Sequence, residues 1–299
     1  MTIDELKNAF EKAGYCSNDH ITYAVYAAML CHRPLLIEGD PGVGKTSLAK
    51  AFAKGMGLEC IRVQMYEGLT ADQILYDYDY QKQLLTLEAV RPKLDAEYKD
   101  LTMQESIQKA VKSMDFYGED FLIKRPVLRS LTGEPKVLLI DEMDKAPEEL
   151  EYSLYEILEN YSMTIPQYGT IKAENPPYVF ITSNNYRDLS GALKRRCNYL
   201  YINRKTEDEM YEIIKVQAKT NDKIAMGIAR CMAALQDISL HQVPSIAEAV
   251  EFAKYLSMNK TVTKTLVMNS LSFLSKHKND ETQIRQIVDE NGEILWKKS

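Results

Sequence analysis

The sequence is poor in the features that staple small secreted domains or hold a chain in a membrane. It has five cysteines in 299 residues, Cys16, Cys31, Cys60, Cys197 and Cys231. They are odd in number, far apart and never in a Cys-x-x-Cys pair. This suits reduced thiols in a cytosol better than a disulfide framework or a zinc site. The four histidines, His20, His32, His241 and His277, pair with no cysteine at ligand spacing, so no transition metal is expected. No apolar run approaches the roughly eighteen residues of a membrane span. Met1-Thr2-Ile3-Asp4-Glu5 has an acidic start unlike a signal peptide, and a cytoplasmic location is expected. Positive charge is not in excess either: the net charge is −6. That argues only weakly against a nucleic-acid-binding surface and leaves room for a local basic patch.

What is present is ordinary for a globular chain, 45% hydrophobic and 27% charged. Its length allows one large domain or two modest ones, with a core that needs no staples. The centre of the sequence is residues 35–56. Leu35-Leu36-Ile37 is a short apolar run, and Gly39-Asp40-Pro41-Gly42-Val43-Gly44-Lys45-Thr46-Ser47 completes the pattern Gly-x-x-x-x-Gly-Lys-Thr before a helix-period segment. Gly42 and Gly44 permit a tight turn whose N–H groups point inward, and the following helix adds its positive end. Lys45 is then placed for the β- and γ-phosphates of ATP, and the Thr46 hydroxyl for Mg²⁺.

Along the rest of the chain, helices are expected over residues 3–13, with Thr2 and Glu5 as a capping box, and over 19–30. Residues 58–65 alternate apolar and polar, as on a half-exposed edge strand. Val137-Leu138-Leu139-Ile140 is a continuous apolar run, as in a strand covered on both faces, and ends in Asp141-Glu142. Carboxylates at such a strand end face the ligand crevice of an α/β sheet: Asp141 for Mg²⁺, Glu142 for the attacking water. Tyr178-Val179-Phe180-Ile181-Thr182 is a second buried run and ends at Ser183-Asn184-Asn185, which brings an amide to the same crevice. A helix is expected from Pro147 to Tyr161, a hairpin over 163–171, and a short helix over 189–193 followed by Lys194-Arg195-Arg196 and the strand 199–202. Beyond Thr206 the pattern is helical, with segments near 223–235, from Ser245 and over 264–276, so the boundary of an all-helical domain falls near 203–206. Residues 66–136 read as an excursion between two sheet strands. Within it, Tyr76-Asp77-Tyr78-Asp79-Tyr80 alternates aromatic and acid. A strand there would offer a tyrosine face, but its carboxylates would repel phosphates, which favours a packed or protein-binding hairpin.

Taken together these residues resemble the AAA+ ATPases and, within them, the MoxR group, especially the CoxD-type proteins linked to molybdenum–copper carbon monoxide dehydrogenase. The likeness runs from Arg33-Pro34 through the P-loop, Tyr66-Glu67-Gly68-Leu69-Thr70-Ala71-Asp72-Gln73 and Leu138-Leu139-Ile140-Asp141-Glu142-Met143-Asp144. It continues through Thr164-Ile165-Pro166, Gly169-Thr170-Ile171, Thr182-Ser183-Asn184 and Leu193-Lys194-Arg195-Arg196-Cys197. The resemblance implies a nucleotide-binding domain over 1–204 with five parallel strands ordered 5-1-4-3-2, an insertion over about 66–136 and a hairpin over about 162–176. A helical lid over 205–299 follows. It implies Asn184 as the first sensor of the γ-phosphate and Arg196, or alternatively Arg195, as an arginine finger reaching a neighbour in a homo-oligomeric, hexameric ring. It further implies ATP and Mg²⁺, a von Willebrand factor A-domain partner and a metalloenzyme client. The family's second sensor arginine is missing: that stretch reads Val243-Pro244-Ser245-Ile246-Ala247-Glu248. The expected activity is that of an ATP-hydrolysing remodelling chaperone. The alternatives are an McrB-like nucleic-acid motor subunit and a nucleotide-gated scaffold with little hydrolysis.

Overall fold

The computed structural model describes residues 1–97, 102, 104, 105 and 115–297. Nine strands are present among them: β1 (Leu35–Gly39), β2 (Glu59–Gln64), β3 (Tyr76–Tyr78), β4 (Leu122–Lys124), β5 (Lys136–Asp141), β6 (Ser162–Ile165), β7 (Gly169–Lys172), β8 (Tyr178–Ser183) and β9 (Asn198–Ile202). Five of them form one sheet in the order β2-β5-β8-β1-β9, and every pair in it is parallel. Counted among themselves along the chain, these strands have the expected order 5-1-4-3-2, read from the opposite edge. The fold is that of an α/β P-loop NTPase with a helical C-terminal part.

The strand sequences explain the layers. In β5, Val137, Leu138, Leu139 and Ile140 are all fully buried. Successive side chains point to opposite faces. Val137 and Leu139 therefore join Phe10, Leu48 and Phe52 on one side, while Leu138 and Ile140 join Leu154, Ile157 and Ile181 on the other. The helices Ile3–Ala13, Asp19–Leu30 and Lys45–Met56 supply the first layer, and Glu148–Asn160 the second. β2 lies at the sheet edge, as its alternation predicts, and exposes Arg62 and Gln64.

The register sets the site. Gln64 stands opposite Asp141, Ile140 opposite Ile181, and Ile37 opposite Thr182. The C-terminal ends of β1, β2, β5 and β8 thus come level, and the P-loop, Asp141-Glu142 and Asn184 emerge along one edge.

The helical part after Glu207 has its own apolar cluster, built on Met210, Ile214, Ala225, Ile228, Phe252, Leu256 and Val267. The expected capping box of Thr2 with Glu5 is formed, and so are three more: Thr70 with Gln73, Thr206 with Glu209, and Ser245 with Glu248.

Some boundaries differ from expectation. Pro147 is the N-cap of the helix Glu148–Asn160 rather than part of it. The short helix covers Gly191–Arg196, so Lys194, Arg195 and Arg196 lie on it instead of following it. The segment expected over 264–276 is a six-residue helix, Lys264–Asn269, with a 3₁₀ turn at Leu271–Phe273. A further helix, Lys278–Asn291, falls within the helical pattern expected beyond Thr206 but was not singled out: Ile284, Ile287 and Val288 make its apolar face in a mostly polar segment.

The excursion between β2 and β5 contains the short helix Ala71–Ile74, β3, the helix Tyr80–Glu97, β4 and the helix Pro126–Ser130. The part of the expected insertion at residues 98–101, 103 and 106–114 lies outside the described residues. The tyrosine run is a strand only as far as Tyr78. β3 pairs antiparallel with β4, Tyr78 is buried with its hydroxyl donating to the Pro166 carbonyl (3.1 Å), and Tyr80 opens the next helix. Tyr78 is thus packed, whereas Tyr76 is half-buried and Tyr80 exposed, and the three line one recess beside Asp72 and Asp77.

Candidate active site

The P-loop curls between β1 and the helix Lys45–Met56. Gly42 and Gly44 both have positive φ, +84° and +100°, which the sequence meets with the residue that bears no Cβ penalty. Gly42 also has Ser245 against it: a Cβ there would lie 2.8 Å from the Ser245 Cβ. The Lys45 amine is buried and donates to the carbonyls of Gly39 (2.7 Å) and Asp40 (2.8 Å). Burial pulls its pKa below the ordinary lysine value, against the opposing pull of Asp144, Asp40, Asp141 and Glu142.

Asp141 is 2% exposed, and both of its oxygens are engaged. Oδ1 accepts from the Thr46 hydroxyl (2.8 Å) and the Thr182 hydroxyl (2.6 Å). Oδ2 accepts from Arg62 Nε (2.8 Å) and lies 2.6 Å from the same guanidinium's Nη2. Buried charge is tolerable only when paired in this way. Thr46 Oγ1 and Asp141 Oδ1 together are hard oxygen donors beside the phosphate loop, the donor chemistry that suits Mg²⁺.

Glu142 follows with a left-handed backbone, φ 58° and ψ 50°. Such a conformation costs a non-glycine residue about 1–2 kcal/mol. The turn is held by its N–H donating to Thr182 Oγ1 (2.9 Å). Its carboxylate accepts from Gln64 Nε2 (2.8 Å) and pairs with Lys145 (2.7 Å). The Asn184 N–H donates to buried Asp144 (3.1 Å), as does the N–H of Tyr186 (3.0 Å), and this fixes the loop after β8.

Residues 41–47, Asp141, Glu142, Thr182 and Asn184 line one cavity of about 320 Å³. Its opposite wall comes from Tyr15 and Cys16 near the N-terminus and from Lys205, Ile213, Gln217 and Ser245–Ala247 in the helical part. The Tyr15 hydroxyl is buried in this wall with no hydrogen-bond partner among the described residues, 3.9 Å from the position of a Cβ on Gly44. The cavity therefore joins phosphate-binding groups to a mixed apolar and polar recess of the kind a nucleoside fills.

Most sequence-predicted residues meet here. Gly39 contributes its carbonyl to Lys45, and Asp40 turns its carboxylate to Arg204 (2.5 Å) at the rim. Arg195 and Arg196 do not line the cavity. Arg196 is tied to Glu159 (2.8 Å) and lies over the Tyr155 ring (4.5 Å). Arg195 is exposed, and its side chain has no hydrogen bond or ion pair among the described residues.

Sequence reasoning missed Arg62, Gln64 and Thr182 as site residues. The period-two pattern already put Arg62 and Gln64 on one face of β2, but only the register with β5 shows which carboxylates they meet. His241 and His277, distant in sequence, are stacked at 4.4 Å beside buried Asp280. One ring nitrogen of each and an Asp280 carboxylate oxygen lie within 4.8 Å of one another, a grouping of metal-ligand type that the sequence spacing did not reveal. Asp280 accepts from the N–H groups of His241 and Gln242, and the cluster acts as a clasp on that loop.

A family model, AAA domain (dynein-related subfamily), matches residues 34–197. The chain belongs to this family of nucleotide-driven AAA+ ATPases. It is similar to the Lon protease of Rickettsia prowazekii, 27% identical over 187 residues, covering 60% of this chain and 19% of that one. It is also similar to replication factor C subunit 5 of Oryza sativa subsp. japonica, 24% identical over 229 residues, covering 74% of this chain and 58% of that one. The chain thus spans about a fifth of the Lon protease's length. Among solved structures, the Thermotoga maritima RuvB Holliday junction branch migration motor matches with a TM-score of 0.46 at 18% identity, covering 92% of this chain and 70% of that one. No described helix of this AAA+ chain is long and apolar enough to cross a membrane.

Proposed function

We propose that this protein binds and hydrolyses ATP and uses the cycle to remodel a client protein. The observation that carries the reading is the meeting of Thr46, Asp141, Thr182 and Glu142 beside the P-loop on one cavity. Residues 1–204 form the nucleotide-binding domain in this account and 205–299 the lid, whose Ser245 already touches the P-loop at Gly42.

The groups act on ATP as follows. The inward N–H groups of residues 42–47 and the Lys45 amine hold the phosphates. Thr46 and Asp141 would hold Mg²⁺, which when bound neutralises charge on the β- and γ-phosphate oxygens. Glu142 accepts a hydrogen bond from the attacking water and orients it in line. Asn184 donates to that water or to a γ-phosphate oxygen. Charge that develops on the transferred phosphoryl group needs a further cation, and an arginine from a neighbouring subunit supplies it. Of the two candidates, Arg196 is already bound to Glu159, whereas Arg195 is exposed and unpaired among the described residues, which favours Arg195. A finger in trans requires a ring, and a hexamer is the assembly the MoxR resemblance supports. The same resemblance supports a CoxD-like role in metalloenzyme maturation with a von Willebrand factor A-domain partner in the cytoplasm.

Glu142→Gln tests the reading. Turnover should fall by about a hundredfold or more while ATP binding persists. Unchanged hydrolysis would remove Glu142 from the mechanism. A wild type that binds ATP and never hydrolyses it would leave a nucleotide-gated scaffold.

A further inference from the structure

Glu38 is the last side chain before the P-loop and takes no part in the chemistry above. It is nonetheless a buried carboxylate, 5% exposed, and such a charge needs partners. It has three, each from a different element. The Tyr199 hydroxyl on β9 donates to Oε2 (2.9 Å). Asn185, with its amide nitrogen turned toward Glu38, donates to both oxygens (3.1 and 3.3 Å) from the loop that carries Asn184. Lys194 Nζ lies 3.7 Å from Oε1, from the helix Gly191–Arg196, and 3.8 Å from exposed Asp188.

That helix is only six residues long; the Ser190 cap and fully buried Leu193 seat its inner face, and ion pairs orient the basic side chains on its outer face. Successive side chains leave a helix about 100° apart. Lys194 is anchored by Glu38 on one flank, and Arg196 by Glu159 and the Tyr155 ring on the other. Arg195, between them, is directed outward. Two ion pairs thus aim one guanidinium that has no partner among the described residues, and one of those pairs ends on the strand that enters the phosphate loop.

We infer that Glu38 is a positioning residue for the neighbouring subunit's site. Through Lys194 it fixes the helix that presents Arg195, so a subunit's Glu38 serves hydrolysis next door. The inference rests on the ring-ATPase reading with an arginine supplied in trans.

The test uses mixed assemblies of full-length chains. Glu142→Gln subunits cannot hydrolyse ATP but keep Glu38, Lys194 and Arg195 intact. Glu38→Gln subunits keep their own hydrolytic residues. Alone, Glu38→Gln should lose about tenfold in kcat with little change in KM for ATP. Mixed with an equal amount of Glu142→Gln, its rate per competent site should rise at least threefold, because competent sites now receive a well-aimed arginine. If Glu38 matters only to its own P-loop, mixing restores nothing and the inference is overturned. Arg195→Ala mixed with Glu142→Gln is the control. Rescue there with none for Glu38→Gln defeats the Glu38 inference alone, whereas failure of the control defeats the trans-arginine reading and the inference with it. Should Glu38→Gln fail to fold, Lys194→Met carries the same test, since it leaves Glu38 bonded to Tyr199 and Asn185. Its turnover should also fall and be rescued by mixing, and wild-type turnover would overturn the inference.

Discussion

The Thr182 hydroxyl donates to Asp141 Oδ1 at 2.6 Å while accepting the Glu142 N–H at 2.9 Å. One side chain from β8 therefore orients the candidate metal ligand and holds the strained turn of the candidate catalytic base. Thr182→Val keeps the shape and removes both bonds. It leaves a partly buried N–H without that partner, at a cost of about 1 kcal/mol. Denaturant unfolding should show that loss, and ATP turnover should fall about tenfold or more. Thr182→Ser should restore both. A Val variant with wild-type turnover would separate Thr182 from the site.

Glu142 is held by Gln64 and Lys145, both outside the P-loop. A carboxylate so engaged must give up at least one partner to orient water. Gln64→Leu with Lys145→Met should raise basal ATP turnover several-fold and leave ATP affinity within about twofold, since neither residue belongs to the phosphate-binding set. Steady-state rates beside equilibrium nucleotide binding check this. A fall in turnover would mean that the two residues orient Glu142 productively and do not restrain it.

Gly42 serves the P-loop turn and the contact with Ser245 at once. Gly42→Ala meets a positive φ and a Cβ 2.8 Å from the Ser245 Cβ. The backbone term alone is about 1–2 kcal/mol. ATP affinity should drop about tenfold or more, read by titration. Retained affinity would show that the loop and the lid part without consequence.

The cysteines report the cavity directly. Burial pushes the thiols of Cys197 and Cys231 up to about 12, so at pH 8 only about one in ten thousand is thiolate. Both should resist iodoacetamide until the protein unfolds, whereas exposed Cys31 should react first. Cys16 lines the cavity, and burial raises its pKa as well, so its labelling should quicken as pH rises. A saturating non-hydrolysable ATP analogue should slow it, as read by peptide mass spectrometry. Labelling of Cys16 that ignores nucleotide would place the nucleoside outside this recess.

Much of this was legible in the sequence because the informative signals are local. The continuous run Val137–Ile140 marks a strand covered on both faces, and Gly42, Gly44, Lys45 and Thr46 specify a phosphate loop by residue type alone. Contacts that depend on register were not legible. Arg62 and Gln64 meet Asp141 and Glu142 only because β2 and β5 pair with Gln64 opposite Asp141. Glu38 collects partners from β9, the loop after β8 and a helix more than 150 residues away. The helix Lys278–Asn291 was hidden for a different reason: Ile284, Ile287 and Val288 recur at helical spacing but are the few apolar positions in a polar segment. Tyr80 looked like a strand residue because the alternation of Tyr76–Tyr80 continued past the point where pairing with β4 ends at Tyr76–Tyr78.

The central claim is that hydrolysis needs a neighbour's arginine. Its most direct test is ATP turnover per subunit against protein concentration, with mass followed by light scattering, for wild type, Arg195→Ala and Arg196→Ala. The account predicts that specific activity rises with assembly, and that Arg195→Ala assembles yet loses about a thousandfold in rate. Arg196→Ala should lose less, through the loosened helix. A monomer that hydrolyses ATP as fast as the assembly, with both arginines dispensable, would contradict it.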